Sequence, residues 1–115
     1  MRTSPPSRGE IWLINLNPAR GHEQVGVRPG LVVSTNIFNH GPAGLVVILP
    51  LTTRDRGIPL HVSLEPPEGG VQQQSFAKTE DIRSVSTERL IKRWGEVSPA
   101  TLAAVEDRLR ILLEL

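Results

Sequence analysis

Cysteine and tyrosine are absent from this chain of 115 residues. Without cysteine there are no disulfides and no thiolate metal sites, so aliphatic side chains must supply the stabilising core. Aromatic residues amount to 3%, two Trp and two Phe. This scarcity excludes a binding surface built from many stacking rings.

Long apolar runs and a strong charge of either sign are also missing. The longest apolar run, residues 45–51, contains Pro50 and is far shorter than the roughly 20 residues of a membrane-spanning helix. The first residues, MRTSPPSRGE, lack the apolar segment of a secretory signal, so we expect a cytoplasmic protein with no membrane contact. A net charge of +1 is too small to indicate a nucleic-acid-binding protein by composition.

The length of the chain suits one domain, since a chain this short cannot bury two good cores. The Pro and Ser content of residues 1–7 predicts a flexible N-terminal tail, which leaves residues 8–115 as the domain. Histidines His22, His40 and His61 fall in separate segments without the spacing of a metal site. We therefore expect neither a metal nor another cofactor.

Short apolar segments between turn-forming residues predict a succession of strands. They cover residues 10–16, 31–35, 45–51, 61–64, 75–85 with a bend midway, and 94–97. Residues 36–44 read as a turn-rich connection with a short helical piece, and residues 86–91 carry a weak signal for one or two helical turns.

The C-terminal helix has the clearest signals, because Ser98 is a typical N-cap and Pro99 suits the first helical position. Its apolar stripe consists of Leu102, Val105, Leu109 and Leu112. Closely spaced strands followed by one helix predict a mainly β (α+β) domain, a compact antiparallel and partly closed barrel with the helix packed on it.

Polar side chains concentrate after the first and third strands, in loops of the kind that often carry binding and catalytic groups. The first loop contains Arg20, His22, Glu23, Gln24 and Arg28, and the second contains Thr52, Thr53, Arg54 and Arg56.

Arg28 precedes a proline, which favours an extended backbone at this arginine. A guanidinium there suits a phosphate, because its planar fork of donors keeps its charge. The alternative is an ion pair between Arg28 and Glu23 at the surface, and Arg54 and Arg56 have the same alternative of being simply solvated. Thr52 is either a structural strand residue or a hydroxyl that faces a cleft.

The sequence contains no motif for a serine hydrolase or for a nucleotide-binding loop. No serine lies in a nucleophile-elbow motif, and no phosphate-binding loop of the GxxxxGK type occurs. An arginine-rich set with one carboxylate and one hydroxyl fits cleavage of RNA, in which the 2′-hydroxyl of the substrate is the nucleophile and the protein transfers protons and stabilises charge.

The segment RGEIWLINLNPARGHEQVGVRPGLVVS resembles the N-terminal signature of the MazF/PemK toxins of bacterial toxin-antitoxin systems, and LPLTTR, HVSL and EDIRSVSTERLIKRWG follow in family order. The resemblance implies an SH3-like barrel, a homodimer and a metal-independent endoribonuclease. Such an enzyme cuts single-stranded RNA at a short sequence and leaves a 2′,3′-cyclic phosphate and a 5′-hydroxyl. A cognate antitoxin would block the RNA groove.

By this resemblance Arg28 in GVRP and Thr52 in PLTT match the catalytic arginine and threonine of the family, and Glu23 matches its loop acid. Glu23 either accepts the 2′-hydroxyl proton or orients Arg28 by an ion pair. The expected RNA-binding residues are Arg20, His22, Gln24, Thr53, Arg54, Arg56 and Lys78.

Two residues depart from the family pattern. His22 replaces the small serine that is common before Glu-Gln, and it either stacks on a base or is an exposed loop residue. Asp81 stands where many relatives have Gln, so RNA contacts cannot be transferred in detail from them.

Two other functions compete with RNA cleavage. A CcdB-like toxin acting on DNA gyrase would use a tryptophan near its C-terminus, whereas this chain ends LRILLEL. A non-catalytic SH3-like adaptor would need an aromatic-lined groove for Pro-rich ligands, which the aromatic content argues against.

Overall fold

The computed structural model describes residues 5–17 and 26–115. Within these ranges the chain forms seven strands and two helices, joined in part by short 3-10 turns. In chain order the elements are β1 (Glu10–Asn15), β2 (Val27–Val32), α1 (Asn36–Asn39), β3 (Leu45–Thr52), β4 (His61–Leu64), β5 (Ser75–Lys78), β6 (Arg83–Ser86), β7 (Leu90–Glu96) and α2 (Pro99–Leu113).

The strands pair antiparallel in the order β4-β5-β3-β2-β1-β7, and β6 pairs with β3 beside this path. One side of β3 pairs with β2, whereas its other side pairs with β6 along residues 45–48 and with β5 along residues 51–52. In the part of the chain described, the end strands β4 and β7 do not pair with each other. The mainly β class with a C-terminal helix is confirmed, although the sheet does not close and "barrel" describes it loosely.

Two prolines lie where strand pairing changes. Pro50 pairs with Gly30 of β2, at the point where the other side of β3 passes from β6 to β5. Pro29 pairs with Leu13 and lies just beyond Gly30, the end of the β2–β3 ladder. A missing backbone N–H costs little at such positions. The expectation that the second strand starts at residue 31 was therefore wrong, since β2 already begins at Val27.

Apolar side chains form two clusters, one on each face of the sheet. The α2 face is the one that packs against the C-terminal helix, and its buried residues are Ile11, Leu31, Val33, Leu49, Leu51, Val62, Leu64, Val71, Ala77, Val97 and Val105. Leu102 and Leu109 of α2 pack against this cluster, as the apolar stripe predicts. The far face holds Trp12, Ile14, Leu16, Val32, Val46, Ile48, Val85 and Leu90.

The start of α2 is capped twice. The Ser98 hydroxyl accepts a hydrogen bond from Thr101 N at 3.2 Å, and Glu68 Oε2 accepts one from Ser98 N at 3.0 Å. The Thr101 hydroxyl also donates to Glu68. Burial raises the pKa of Glu68, but these hydrogen bonds outweigh burial and hold the pKa below its ordinary value of 4.5. The turn that carries Glu68 is thereby joined to the helix.

Glu10 ties the N-terminal segment to the sheet. Its carboxylate accepts hydrogen bonds from Ser7 N at 2.7 Å, Trp12 Nε1 at 3.0 Å and Arg93 Nε at 2.7 Å. Burial raises the pKa of Glu10, and the hydrogen bonds, led by the one from Arg93, lower it below the ordinary value. The division between a tail at residues 1–7 and the domain stays a prediction.

The segment between β6 and β7 differs from its sequence-based expectation. Ser86 accepts a hydrogen bond from Glu88 N at the start of a single 3-10 turn, Thr87–Arg89. Leu90 then begins β7, so the helical signal at residues 86–91 covers one turn and the final strand is longer than predicted.

Among the described helices, none is both long and apolar enough to span a membrane.

Candidate active site

Arg28 and Thr52 lie at the same end of two neighbouring strands. The last pairs of the β2–β3 ladder are Leu31 with Leu49 and Gly30 with Pro50. When this register is continued by two residues, Arg28 of β2 stands opposite Thr52 of β3. Residues directly opposite in an antiparallel pair project to the same face of the sheet, so the two side chains share a face.

That face is the far face. On β1 the partner of Arg28 is Ile14, which is buried in the far-face cluster. On β5 the partner of Thr52 is Phe76, whereas the next pair, Leu51 with Ala77, belongs to the α2 face. Arg28 is exposed and Thr52 is half-buried. The guanidinium and the hydroxyl therefore lie at the solvent-facing margin of the far face.

Gly30 and Pro50, which are both buried, lie between this pair and the far-face cluster. Gly30 lacks a side chain, and a Cβ there would lie 2.7 Å from Cδ1 of Ile14 and 3.5 Å from Cδ1 of Ile48. Its partner Pro50 carries only its ring. The missing side chain of Gly30 therefore makes room for the side chain of Ile14, which packs over the backbone here.

Two further cations border the far face. Lys78 ends β5, two residues after Phe76, and Arg83 begins β6 opposite Ile48. Asp81 lies between them, with Oδ2 at 3.8 Å from Lys78 Nζ and Oδ1 at 3.9 Å from Arg83 Nε. The sequence indicated Lys78 but missed Arg83. The alternation Arg83-Ser84-Val85 was the available signal, because it places Arg83 on the same face as buried Val85.

The second polar loop leaves the sheet at Thr52. Its residues Thr53, Arg54 and Arg56 are all exposed. The Thr52 hydroxyl accepts a hydrogen bond from Arg54 N at 3.2 Å, which turns the chain as it leaves β3. Arg54 and Arg56 are thus at the same end of the sheet as Arg28, although beyond the strand and in solvent.

The first polar loop is described only at its ends. Leu16 N donates to Gly26 O at 2.9 Å, and Gly26 N donates to the Asn17 side chain at 3.0 Å. Arg89 donates to the carbonyl oxygens of Asn15 and Asn17. These bonds hold the two ends of the loop beside Arg28. The predicted residues Arg20, His22, Glu23 and Gln24 lie outside the described residues.

The described residues contain no group of three or more His, Asp or Glu side chains arranged to hold a metal ion. His61 instead pairs with Glu80, with 2.9 Å between Nε2 and Oε2. What the described part of the site offers is guanidinium, ammonium and hydroxyl groups, a combination that binds and polarises a phosphate.

Comparison with known proteins identifies the family of the chain. Residues 7–113 match the family model described as PemK-like, MazF-like toxin of type II toxin-antitoxin system. The endoribonuclease MazF9 of Mycobacterium tuberculosis is 38% identical over 113 residues, which cover 94% of this chain and 96% of the relative. The endoribonuclease EndoA of Bacillus subtilis is 29% identical, with 94% of each chain covered.

Solved structures show the same fold. MazF of Deinococcus radiodurans superposes with a TM-score of 0.86 at 31% identity, covering 97% of this chain and 99% of that one. A mycobacterial endoribonuclease solved in complex with its cognate antitoxin gives a TM-score of 0.78 at 26% identity, covering 98% and 97%. The chain therefore belongs to the family of PemK-like, MazF-like toxins of type II toxin-antitoxin systems.

Proposed function

We propose that this protein is the toxin of a type II toxin-antitoxin system and acts as a metal-independent endoribonuclease on single-stranded RNA. The observation that carries the proposal is the family match over residues 7–113. It is supported by relatives that are named endoribonucleases and that align with this chain over nearly their whole length. Cleavage of messenger RNA in the cytoplasm would stop translation and growth.

The proposed reaction is an internal transesterification. The 2′-oxygen attacks the adjacent phosphorus, the bond from phosphorus to the 5′-oxygen breaks, and a 2′,3′-cyclic phosphate and a 5′-hydroxyl result. The 2′-hydroxyl loses a proton and the departing 5′-oxygen gains one, so the reaction needs no metal ion or external nucleophile. The protein has to stabilise the negative charge of the pentacoordinate phosphorane and move the two protons.

Arg28 is the proposed stabiliser of the phosphorane, because an arginine keeps its charge and offers several donors to phosphate oxygens. Thr52, which would stand opposite Arg28 if the β2–β3 register continued two residues past Gly30 and Pro50, would donate its hydroxyl hydrogen to a non-bridging or attacking oxygen. Glu23 would accept the 2′-hydroxyl proton or orient Arg28. If Glu23→Gln keeps near-normal single-turnover cleavage across the pH range, Glu23 is not the base.

RNA binding is proposed for the cations around this pair. Lys78 borders the far face, Arg54 and Arg56 lie in the exposed loop after β3, and Thr53 adds a hydroxyl. Arg20, His22 and Gln24 of the first loop complete the proposed set. Backbone phosphates account for much of the affinity of such surfaces, which makes the affinity depend on salt.

The protein is also proposed to form a homodimer and to bind a cognate antitoxin. Large apolar side chains are exposed on α1, β7 and α2, among them Ile37 at 88%, Ile91 at 53% and Ile111 at 60%, and association would remove such surface from water. Light scattering over a dilution series tests the dimer, and a stable, active monomer would contradict it. The antitoxin is proposed from the related complex.

The decisive experiment is incubation of the purified protein with a long, mostly unstructured RNA in excess EDTA, with every new 5′ end mapped. We expect cuts at one recurrent short sequence, with 5′-hydroxyl ends, that disappear in Arg28→Ala. Arg110→Ala is the matched control, because it removes an exposed arginine from α2. It should cut like the wild type.

A DNA gyrase assay on the same protein, beside the cleavage experiment, separates this proposal from its rival. A folded protein that leaves a varied RNA intact, yet inhibits DNA gyrase, would support a CcdB-like protein-binding toxin. The family match favours the endoribonuclease. Cuts that Arg28→Ala retains would show RNA cleavage with a catalytic centre other than the proposed one.

A further inference from the structure

The 3-10 turn Thr79–Asp81 carries two neighbouring acids with different partners. Glu80 reaches back to β4, where its Oε2 lies 2.9 Å from Nε2 of His61, a side chain that is only 3% exposed. The turn is held in place by buried Thr79, whose hydroxyl donates to Leu60 O at 2.7 Å. Glu80 is thereby committed to a contact with His61, which is the partner of Lys78 across β4 and β5.

Asp81 faces the far-face cations instead. Its oxygens lie 3.8 Å from Lys78 Nζ and 3.9 Å from Arg83 Nε, and the three side chains are between 9% and 16% exposed. Charges this close, and partly removed from water, interact more strongly than exposed ion pairs do. The group formed by Lys78, Asp81 and Arg83 therefore presents about one positive charge to a ligand instead of two.

We propose that Asp81 is a positioning residue that limits phosphate binding by Lys78 and Arg83. The inference rests on the function proposed above, since it concerns the same RNA-binding face. Phosphate contacts strengthen binding to every sequence alike, and they carry no direct sequence information. Because Asp81 weakens this uniform attraction, contacts to the bases account for a larger fraction of the binding free energy, and binding depends more on the RNA sequence. It thus acts on specificity without touching the reacting atoms.

Two isosteric substitutions in the same turn test the proposal, Asp81→Asn and Glu80→Gln. Each removes one negative charge, but only the first removes it from between Lys78 and Arg83. The probe is a short fluorescein-labelled 2′-O-methyl RNA of random base sequence, which lacks the 2′-hydroxyl nucleophile and stays uncut. Its affinity is measured by fluorescence anisotropy across a series of sodium chloride concentrations, with thermal unfolding to confirm that each variant is folded.

For Asp81→Asn we expect binding that is about 3- to 10-fold tighter at low salt. The plot of log affinity against log salt concentration should steepen by about 0.7, the increment for one additional single-strand phosphate contact. Glu80→Gln should keep the wild-type slope. Removing one cation as well, in the double variant Lys78→Gln with Asp81→Asn, should return the slope to the wild-type value, which a purely structural role of Asp81 does not predict.

An unchanged slope in Asp81→Asn, weaker binding, or an equal change in Glu80→Gln would each overturn the inference. Asp81→Gln takes the same test if Asp81→Asn does not fold. A wild type that cleaves RNA as proposed while Asp81→Asn binds identically removes this inference alone. A wild type that neither binds nor cleaves RNA removes the proposed function, and this inference with it.

Discussion

Arg28 and Thr52 occupy matching positions of β2 and β3, two residues beyond the Gly30–Pro50 pair that ends their ladder. The relationship joins two motifs that are 24 positions apart in the chain. The intervening glycine makes room for the side chain of Ile14, so the far-face cluster extends up to this pair. A guanidinium and a hydroxyl on one face are the groups that the proposed reaction needs at a phosphate.

Replacing Thr52 with valine tests the hydroxyl. Thr52→Val keeps the β-branched shape that suits the end of a strand, and it removes only the oxygen that accepts from Arg54 N at 3.2 Å. We expect single-turnover cleavage to fall by about 100-fold or more while the melting temperature stays nearly unchanged. Thr52→Ser, which keeps the hydroxyl, should retain most of the activity. Wild-type cleavage by Thr52→Val would remove Thr52 from the proposed mechanism.

Glu68→Gln should make the stability of the protein less dependent on pH. Because the folded-state pKa of Glu68 lies below its ordinary value, ionised Glu68 stabilises the fold above about pH 4.5, and this stabilisation is lost as pH falls through the lowered pKa. We expect Glu68→Gln to cost about 1 kcal/mol at neutral pH, as for loss of a helix cap, and progressively less in acid.

The measurement is urea unfolding of both proteins at neutral pH and well below pH 4. Glu96→Gln, which changes an exposed carboxylate at the end of β7, is the control and should shift stability little at either pH. A difference between wild type and Glu68→Gln that grows in acid would contradict the capping role of Glu68.

Gly70→Ala should destabilise the protein severely. Gly70 has φ of +82°, and a Cβ there would lie 2.5 Å from the backbone oxygen of Trp94. Gly44 also has a positive φ, +68°, but nothing lies within 4 Å of its Cβ position. Gly44→Ala therefore measures only the free-energy cost of placing a non-glycine residue in the left-handed region, about 1 kcal/mol. Thermal unfolding should show a much larger loss for Gly70→Ala, and equal losses would refute the steric explanation.

Val105→Ala tests the packing of α2 on the sheet. Val105 is 0% exposed and belongs to the α2-face cluster, whereas Ile111 on the same helix is 60% exposed. Loss of two buried methyl groups should cost roughly 2 kcal/mol, and Ile111→Ala should cost much less. Chemical unfolding curves give both values. If Ile111→Ala destabilises more, and the size of its effect depends on protein concentration, Ile111 lies in the interface of the proposed dimer.

Local patterns in the sequence predicted most of the elements. Alternating and apolar segments gave β1, β3 and β4 to within about a residue or two, because side chains repeat every second position along a strand. Ser98 and Pro99 located the start of α2, because capping chemistry lies in adjacent residues. The bend expected midway through residues 75–85 is the 3-10 turn Thr79–Asp81.

Strand ends were less predictable, since they depend on the neighbouring strand. Pro29 reads locally as the end of a loop, yet β2 runs through it because the adjoining ladder stops at Gly30. Leu90 and Ile91 read as the continuation of a helical turn, whereas pairing with β1 draws them into β7. In both places tertiary pairing outweighs local propensity.

For the candidate site, the sequence by itself supplied the kinds of chemical groups and, through its resemblance to a toxin family, their proposed roles. The chemical identities of Arg28, Thr52 and Lys78 can be read directly from the sequence. Their common face, and the position of Asp81 between Lys78 and Arg83, were decided only by the tertiary structure. Strand register brings together residues far apart in sequence, and no local pattern encodes that register.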